Sequence, residues 1–190
     1  MAVMRKGRLI ALECVDEAVL ETLIQRLYRW LGDRGIAAER TAEPTSGPVG
    51  AQIALSRRGR LRIDPLSLAL YDVADRMDHL GREDGVLSWL SAGRYVLCAH
   101  YLAFSYACHL EHVDLDWLHK INARCRVPDL TLFVEVEPDV ATDLSRHYRT
   151  AIAALQDVGQ NVVVVDGRGG TDQLYERCCQ HISDLGCGED

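Results

Sequence analysis

The run Arg8-Leu-Ile-Ala-Leu-Glu-Cys-Val-Asp-Glu-Ala-Val-Leu-Glu-Thr22 constrains this chain more than any other stretch. Its first half is short and apolar, as a buried strand is, and Arg8 to Glu13 is taken as strand one. Its second half opens a helix with Leu20, Leu23, Ile24, Leu27 and Leu31 at 3.6-residue spacing, closed by Gly32 to Gly35. The alternation then repeats. Ile36–Thr41 reads as a second strand, Glu43-Pro-Thr-Ser-Gly-Pro48 as a loop, and Val49–Arg58 as the start of another helix. A long helical region after Pro65 carries Leu66, Leu70, Val73, Ala74 and Met77 on one face, and a short helix ends near Leu90. Arg94–Cys98 is a near-continuous apolar run suited to a strand buried on both faces. Helices follow over Tyr101–His112 and Asp114–Cys125, the second with Asp114 as N-cap. Leu130–Val136 and the β-branched Asn161–Asp166 are the fourth and fifth strands, with Ser-Arg-His-Tyr-Arg149 in a helix leading to Leu155. A final helix runs from about Thr171 and frays by Gly186.

Short apolar strands separated by helices predict an α/β fold: a parallel five-stranded sheet with helices on both faces. Ligands of such a sheet bind at the carboxyl edge. No internal repeat, low-complexity segment or linker divides residues 1–190, so a single domain is expected.

Composition excludes some partners. A net charge of -7 leaves no basic face for nucleic acid, and no apolar run has membrane-spanning length. Met-Ala-Val-Met-Arg-Lys6 passes into strand one without a secretory h-region. Seven cysteines without a C-x-x-C pair suit reduced thiols, so the expected location is the cytoplasm.

The turn after strand one is where a nucleotide-binding α/β protein carries its phosphate loop, G-x-x-x-x-G-K-[ST]. Glycines there let backbone N–H groups surround phosphate, a lysine reaches the terminal phosphates, and a hydroxyl holds the metal. This chain offers Cys14, Glu17, Val19, Leu20 and Glu21 at those places. Asp16, Glu17 and Glu21 put three carboxylates where a triphosphate would lie. One like-charge contact near 4 Å costs about 4 kcal/mol at an effective dielectric of 20.

Six segments in order resemble the thymidylate kinase family of P-loop nucleoside monophosphate kinases. Leu9-Ile-Ala-Leu-Glu-Cys-Val-Asp16 is similar to the family's I-x-L-E-G-x-D-G, Thr41-Ala-Glu-Pro44 to T-R-E-P, and Ala74-Asp-Arg-x-x-His79 to A-D-R-x-x-H. Gly93-Arg-Tyr-Val-Leu-Cys-Ala-His-Tyr101 resembles G-x-x-V-x-x-D-R-Y, and Phe104-Ser-x-Ala-Cys-His109 stands where S-S-x-A-Y-Q belongs. Pro128 to Pro138 looks like the strand P-D-L-x-x-x-L-x-V-x-P.

The resemblance implies a thymidylate-kinase-like fold and phosphorylation of thymidine monophosphate with ATP and magnesium. Residues that match include Glu13, Asp16, Glu43, Asp75, Arg76, Tyr101 and Ser105. Ala42 stands for the T-R-E-P arginine, Ala99-His100 for the Asp-Arg pair, and Cys108-His109 for the Tyr-Gln pair. After Pro138 the chain is short for the arginine-bearing lid, which is expected to be shortened or absent.

The expectation is therefore a degenerate, non-catalytic member, a pseudokinase. It would act through ligand binding in the old acceptor pocket at Asp16, Glu43, Arg76, His100, Tyr101, Ser105 and His109, or as a dimeric scaffold. No cofactor is expected, ATP and magnesium being needed only by the alternative of a divergent kinase. The resemblance also implies a homodimer, with a small molecule or protein as further partner. A third reading is a repurposed enzyme with a Cys/His site. Cys14, Cys98, His100, Cys108, His109 and His112 are thiolate and imidazole donors in neighbouring segments, yet their spacing matches no established metal pattern. A Cys14–His100 nucleophile pair is disfavoured by Asp16 and Glu17. Cys178, Cys179 and Cys187 read as helix packing and tail.

Overall fold

The computed structural model describes residues 6–136 and 143–186. Its strands are β1 (Arg8–Cys14), β2 (Ala38–Ala42), β3 (Tyr95–Ala99), β4 (Leu130–Glu135) and β5 (Val162–Asp166). They form one parallel sheet in the order β2-β3-β1-β4-β5. The helices are α1 (Glu17–Asp33), α2 (Pro48–Arg57), α3 (Pro65–Gly81), α4 (Val86–Ser91), α5 (Leu102–His109), α6 (Leu115–Asn122), α7 (Asp143–Asp157) and α8 (Thr171–Gly186).

The pleat explains why the central strands read as unbroken apolar runs, since successive side chains enter opposite faces. Leu9 and Ala11 of β1 join Val96, Cys98 and Phe133 in a core roofed by α3 to α7. Ile10, Leu12 and Cys14 join Tyr95, Leu97, Leu132 and Val134 beneath α1 and α8. The edge strands β2 and β5 are only partly covered.

Several element ends follow from local chemistry. Asp64 caps α3 by accepting from Ser67 N–H, and Asp114 caps α6 by accepting from Trp117 N–H, as expected of that residue. The expected helix over Tyr101–His112 stops at His109, because His112 N–H and Val113 N–H both donate to the His109 carbonyl and close the turn. The second strand starts at Ala38 rather than Ile36, whose N–H is used to finish α1 on the Leu31 carbonyl.

The α3 surface departs most from the sequence pattern. Leu66, Leu70 and Met77 are 50%, 49% and 47% exposed, and only Val73 of that stripe is buried. The inward face instead carries Asp72, Asp75, Arg76 and His79. This helix thus buries four polar or charged side chains beside Ala69, Val73 and Leu80, while Leu66, Leu70 and Met77 stay in water.

Between β4 and β5 the described residues hold one helix, α7, of 15 residues. Pro138, where the lid would begin, and Cys187 lie outside the described residues. No helix among the described residues is long and apolar enough to cross a membrane.

Candidate functional site

The sheet's carboxyl edge gathers the residues that the sequence motifs single out. At the β1–α1 turn the Asp16 carboxylate accepts from Ala18 N–H at 2.9 Å and Val19 N–H at 3.0 Å. Leu20 N–H donates to the Asp16 carbonyl, and Asp16 N–H points at Cys14 Sγ at 3.4 Å. The helix starts at Glu17 because nothing in Glu-Ala-Val-Leu asks for a wide loop. Leu20 is 1% exposed and packs under α1 against the sheet, whereas Glu17 and Glu21 face water.

Beside the turn lies a buried acid held by three elements. Glu13 of β1 accepts from Tyr101 N–H at 2.8 Å and from the Tyr148 hydroxyl of α7 at 3.1 Å. His100 follows β3 with φ 55°, a left-handed conformation that costs a non-glycine residue of order 1–3 kcal/mol. Its Nε2 lies 2.9 Å from Glu17, its Nδ1 3.3 Å from the Tyr148 hydroxyl, and its ring stacks on Phe104 with centroids 4.1 Å apart. Burial alone would push His100 down. The buried Glu13, by hydrogen bond and charge, and then Glu17 outweigh burial and hold the imidazole above its ordinary value. Burial pushes the Cys14 thiol up to about 11, against a thiolate nucleophile.

A second cluster fills the space between α3 and the β2–α2 loop. Arg76, 1% exposed, donates from Nε to Glu43 at 2.8 Å, from Nη1 to the Asn122 amide oxygen, and from Nη2 to the Tyr101 carbonyl at 3.2 Å. Its guanidinium also lies over the Tyr101 ring, whose hydroxyl donates to the Arg126 carbonyl. His79 sits between Glu43 at 3.1 Å and the Thr41 hydroxyl at 2.7 Å. Asp75 accepts from Thr45 N–H and from its hydroxyl, fixing the loop. Gly50 is required here, since a Cβ would come within 2.1 Å of the Thr45 carbonyl oxygen. Asp72 meets His109 at 2.7 Å, Arg57 at 3.0 Å and Ser105 at 3.4 Å. Burial raises Asp72, but the His109 hydrogen bond and the Arg57 charge bring it below the usual carboxylate range. The cavity left among Glu43, Asp72, Arg76, Tyr101 and Ser105 is about 10 Å³, room for one water at most.

Of the residues expected to line an acceptor pocket, Glu43, Arg76, Tyr101, Ser105 and His109 fall in this one cluster. Asp16 and His100 stand apart at the β1–α1 turn with Cys14, Glu17, Val19, Leu20 and Glu21. Asp72, Arg57, Thr45, Asn122 and Tyr148 were missed by sequence reasoning. A signal existed for Asp72, since Asp72, Arg76 and His79 recur at helical spacing on one face of α3. The thiols and imidazoles named as metal candidates do not converge. Among the described residues no three His, Cys, Asp or Glu side chains are grouped as a metal ion would need, and His112 is paired at the surface with Glu111.

A parallel sheet with its first strand at the centre, and with these polar groups at its carboxyl edge, defines a P-loop-kinase-like α/β protein. The model of the thymidylate kinase family matches residues 13–162. The thymidylate kinase of Halalkalibacterium halodurans is 33% identical over 153 residues, covering 77% of this chain and 71% of the relative. That of Shouchella clausii is 28% identical over 172 residues, covering 87% and 79%. The structure of thymidylate kinase from Candida albicans, 19% identical, superposes with a TM-score of 0.71 over 94% of this chain and 92% of its own. The chain belongs to the thymidylate kinase family.

Membership corrects one expectation. The sequence reading assigned no cofactor, but thymidylate kinases use ATP and magnesium, so these are the groups that the family brings to this fold.

Proposed function

We propose that this chain is a non-catalytic member of the thymidylate kinase family that acts as a scaffold through its helical surface. The observation that carries the reading is the self-capped β1–α1 turn. Asp16 occupies the Ala18 and Val19 amides, and Leu20 is folded into the core where the family's lysine would reach phosphate. Two amides of the turn bond Asp16, and Asp16, Glu17 and Glu21 place carboxylates there, which supports the non-catalytic reading. Phosphoryl transfer is mostly positioning and electrostatic stabilisation, and a lysine, a metal-binding hydroxyl and the Asp-Arg pair are the parts replaced here.

The packed cluster around Arg76 supports the scaffold over a retained acceptor pocket, since its cavity holds no more than a water. The exposed Leu66, Leu70 and Met77 support a homodimer formed on α3. The cysteine pattern supports a cytoplasmic setting.

The kinase reading has its own support in the 33% identity to a named thymidylate kinase. Steady-state turnover of thymidine monophosphate with ATP and magnesium separates the two. The expected result is no product above background, also for the double variant Val19→Gly with Leu20→Lys. Turnover by the native chain would establish a divergent kinase, and turnover by the double variant would show that the loop alone had been limiting.

A further inference from the structure

The β2 edge carries an inference independent of phosphoryl transfer. Tyr95 N–H donates to the Ala37 carbonyl, and Glu43 N–H donates to the Ala99 carbonyl. Pairing with β3 therefore uses residues 37, 39, 41 and 43, and Ala38, Arg40 and Ala42 turn their N–H and C=O groups outward. Among the described residues β3 is the only strand paired with β2.

The side chains of Ala38, Arg40 and Ala42 point to the α1 side, where two cavities lie at either end of the strand. One, of about 380 Å³, has Leu20, Ile24 and Ala42 in its wall together with Glu17, Glu21 and Arg40. The other, of about 390 Å³, has Tyr28, Ile36 and Ala38 in its wall together with Arg29, Glu39 and Arg94. The Arg40 guanidinium borders the first and lies 4.9 Å from the ring centroid of Tyr28, which lines the second.

We propose that this edge accepts an extended peptide from a partner protein as a sixth strand. A strand laid beside β2 would place every second side chain on the α1 side. Positions opposite Ala38 and Ala42 are four residues apart and meet the two cavities. Apolar side chains there would pack on Ile36 and Tyr28 at one end and on Leu20 and Ile24 at the other, while Glu17 and Glu21 oppose an acid at the Ala42 end. The position between them meets Arg40, so it is Asp or Glu. The recognised pattern is apolar-x-acid-x-apolar, which reads the same in either strand direction. Arg40 also decides against a second copy of this chain, since antiparallel β2–β2 pairing centred there would set two guanidiniums face to face.

The test uses labelled peptides Ser-Thr-Val-Thr-Glu-Thr-Val-Thr-Ser and versions with Ala or Lys at the centre, titrated into the whole protein by fluorescence anisotropy. The Glu peptide is expected to bind at least about tenfold more tightly than the Lys peptide, a difference of about 1.4 kcal/mol. Arg40→Glu, at an exposed position, should reverse that order, and Arg40→Gln should level it should the first variant fail to fold. Bound Glu peptide should slow hydrogen exchange at the Ala38, Arg40 and Ala42 amides. Equal binding of all three peptides, no binding up to 1 mM, or protection elsewhere would overturn the proposal. So would self-association that protects the same three amides, because the edge would then belong to a second copy.

Discussion

His100 is held from three directions in a backbone conformation that glycine prefers. Tyr148 from α7, Glu13 from β1 and Glu17 from α1 face its ring, and Phe104 lies flat against it. Because its folded pKa is raised, the fold favours the imidazolium. That contribution is fully present below the unfolded value near 6.5 and is lost as pH rises through the folded value. Thermal unfolding from pH 5 to 9 should thus show a fall in Tm across the His100 titration seen by NMR. Glu17→Gln should lower the midpoint of that titration, and an unchanged midpoint would show that the contact does not persist in solution. The sequence marks His100 as a substitution in a known motif. It does not reveal what the substitution does, because Tyr148 comes from a segment 48 residues away that carries no motif of its own.

At the scale of elements, α1 and α3 each depart from the sequence pattern. α1 takes its N-cap from Asp16, a residue inside the stretch where the phosphate-loop pattern would fall. Asp16→Ala should remove about 1 kcal/mol of stability, a loss of about 2–4 °C in Tm for a chain of this size, read by calorimetry. α3 buries its charges, and they satisfy one another through Glu43, Thr45, Asn122 and His109. Arg76→Ala leaves the Glu43 carboxylate buried without its guanidinium, so a loss of about 3–5 kcal/mol is expected in urea unfolding. Arg76→Lys should recover little, since an ammonium cannot reach Glu43, Asn122 and the Tyr101 carbonyl at once. The existence and extent of α3 were legible from its spacing and from Pro65. Its orientation was not, because an apolar stripe predicts burial only when no polar stripe competes for the inside. Here the residues that complete the polar network come from α2, α5, α6 and the loop after β2.

For the whole molecule, a parallel five-stranded sheet with helices on both faces was legible because central parallel strands must be apolar on both faces and five such runs are separated by helices. The order β2-β3-β1-β4-β5 was not, because apolar runs alone do not say which strands are neighbours. Packing within the site was not, since it depends on which side chains meet across separations from 15 to 135 residues of sequence. The exposed α3 stripe belongs to this scale too. If it forms the proposed homodimer, sedimentation should give twice the 21.2 kDa chain mass, and Leu70→Lys should give monomers with an unchanged circular dichroism spectrum. A monomeric native protein would remove the scaffold's main surface.

The central place of β1 also sets a timetable on the ribosome. The first strand of the sheet to be synthesised is covered on one side by β3 and on the other by β4, which ends only at Glu135. At 5–20 residues per second, the interval from β1 to β4 is roughly 6–24 s. For that time Leu9 to Leu12 form an apolar segment with an open edge, the kind of stretch that nascent-chain chaperones hold. Nascent chains arrested before β4 emerges should therefore remain sensitive to protease at β1, and longer ones should become protected.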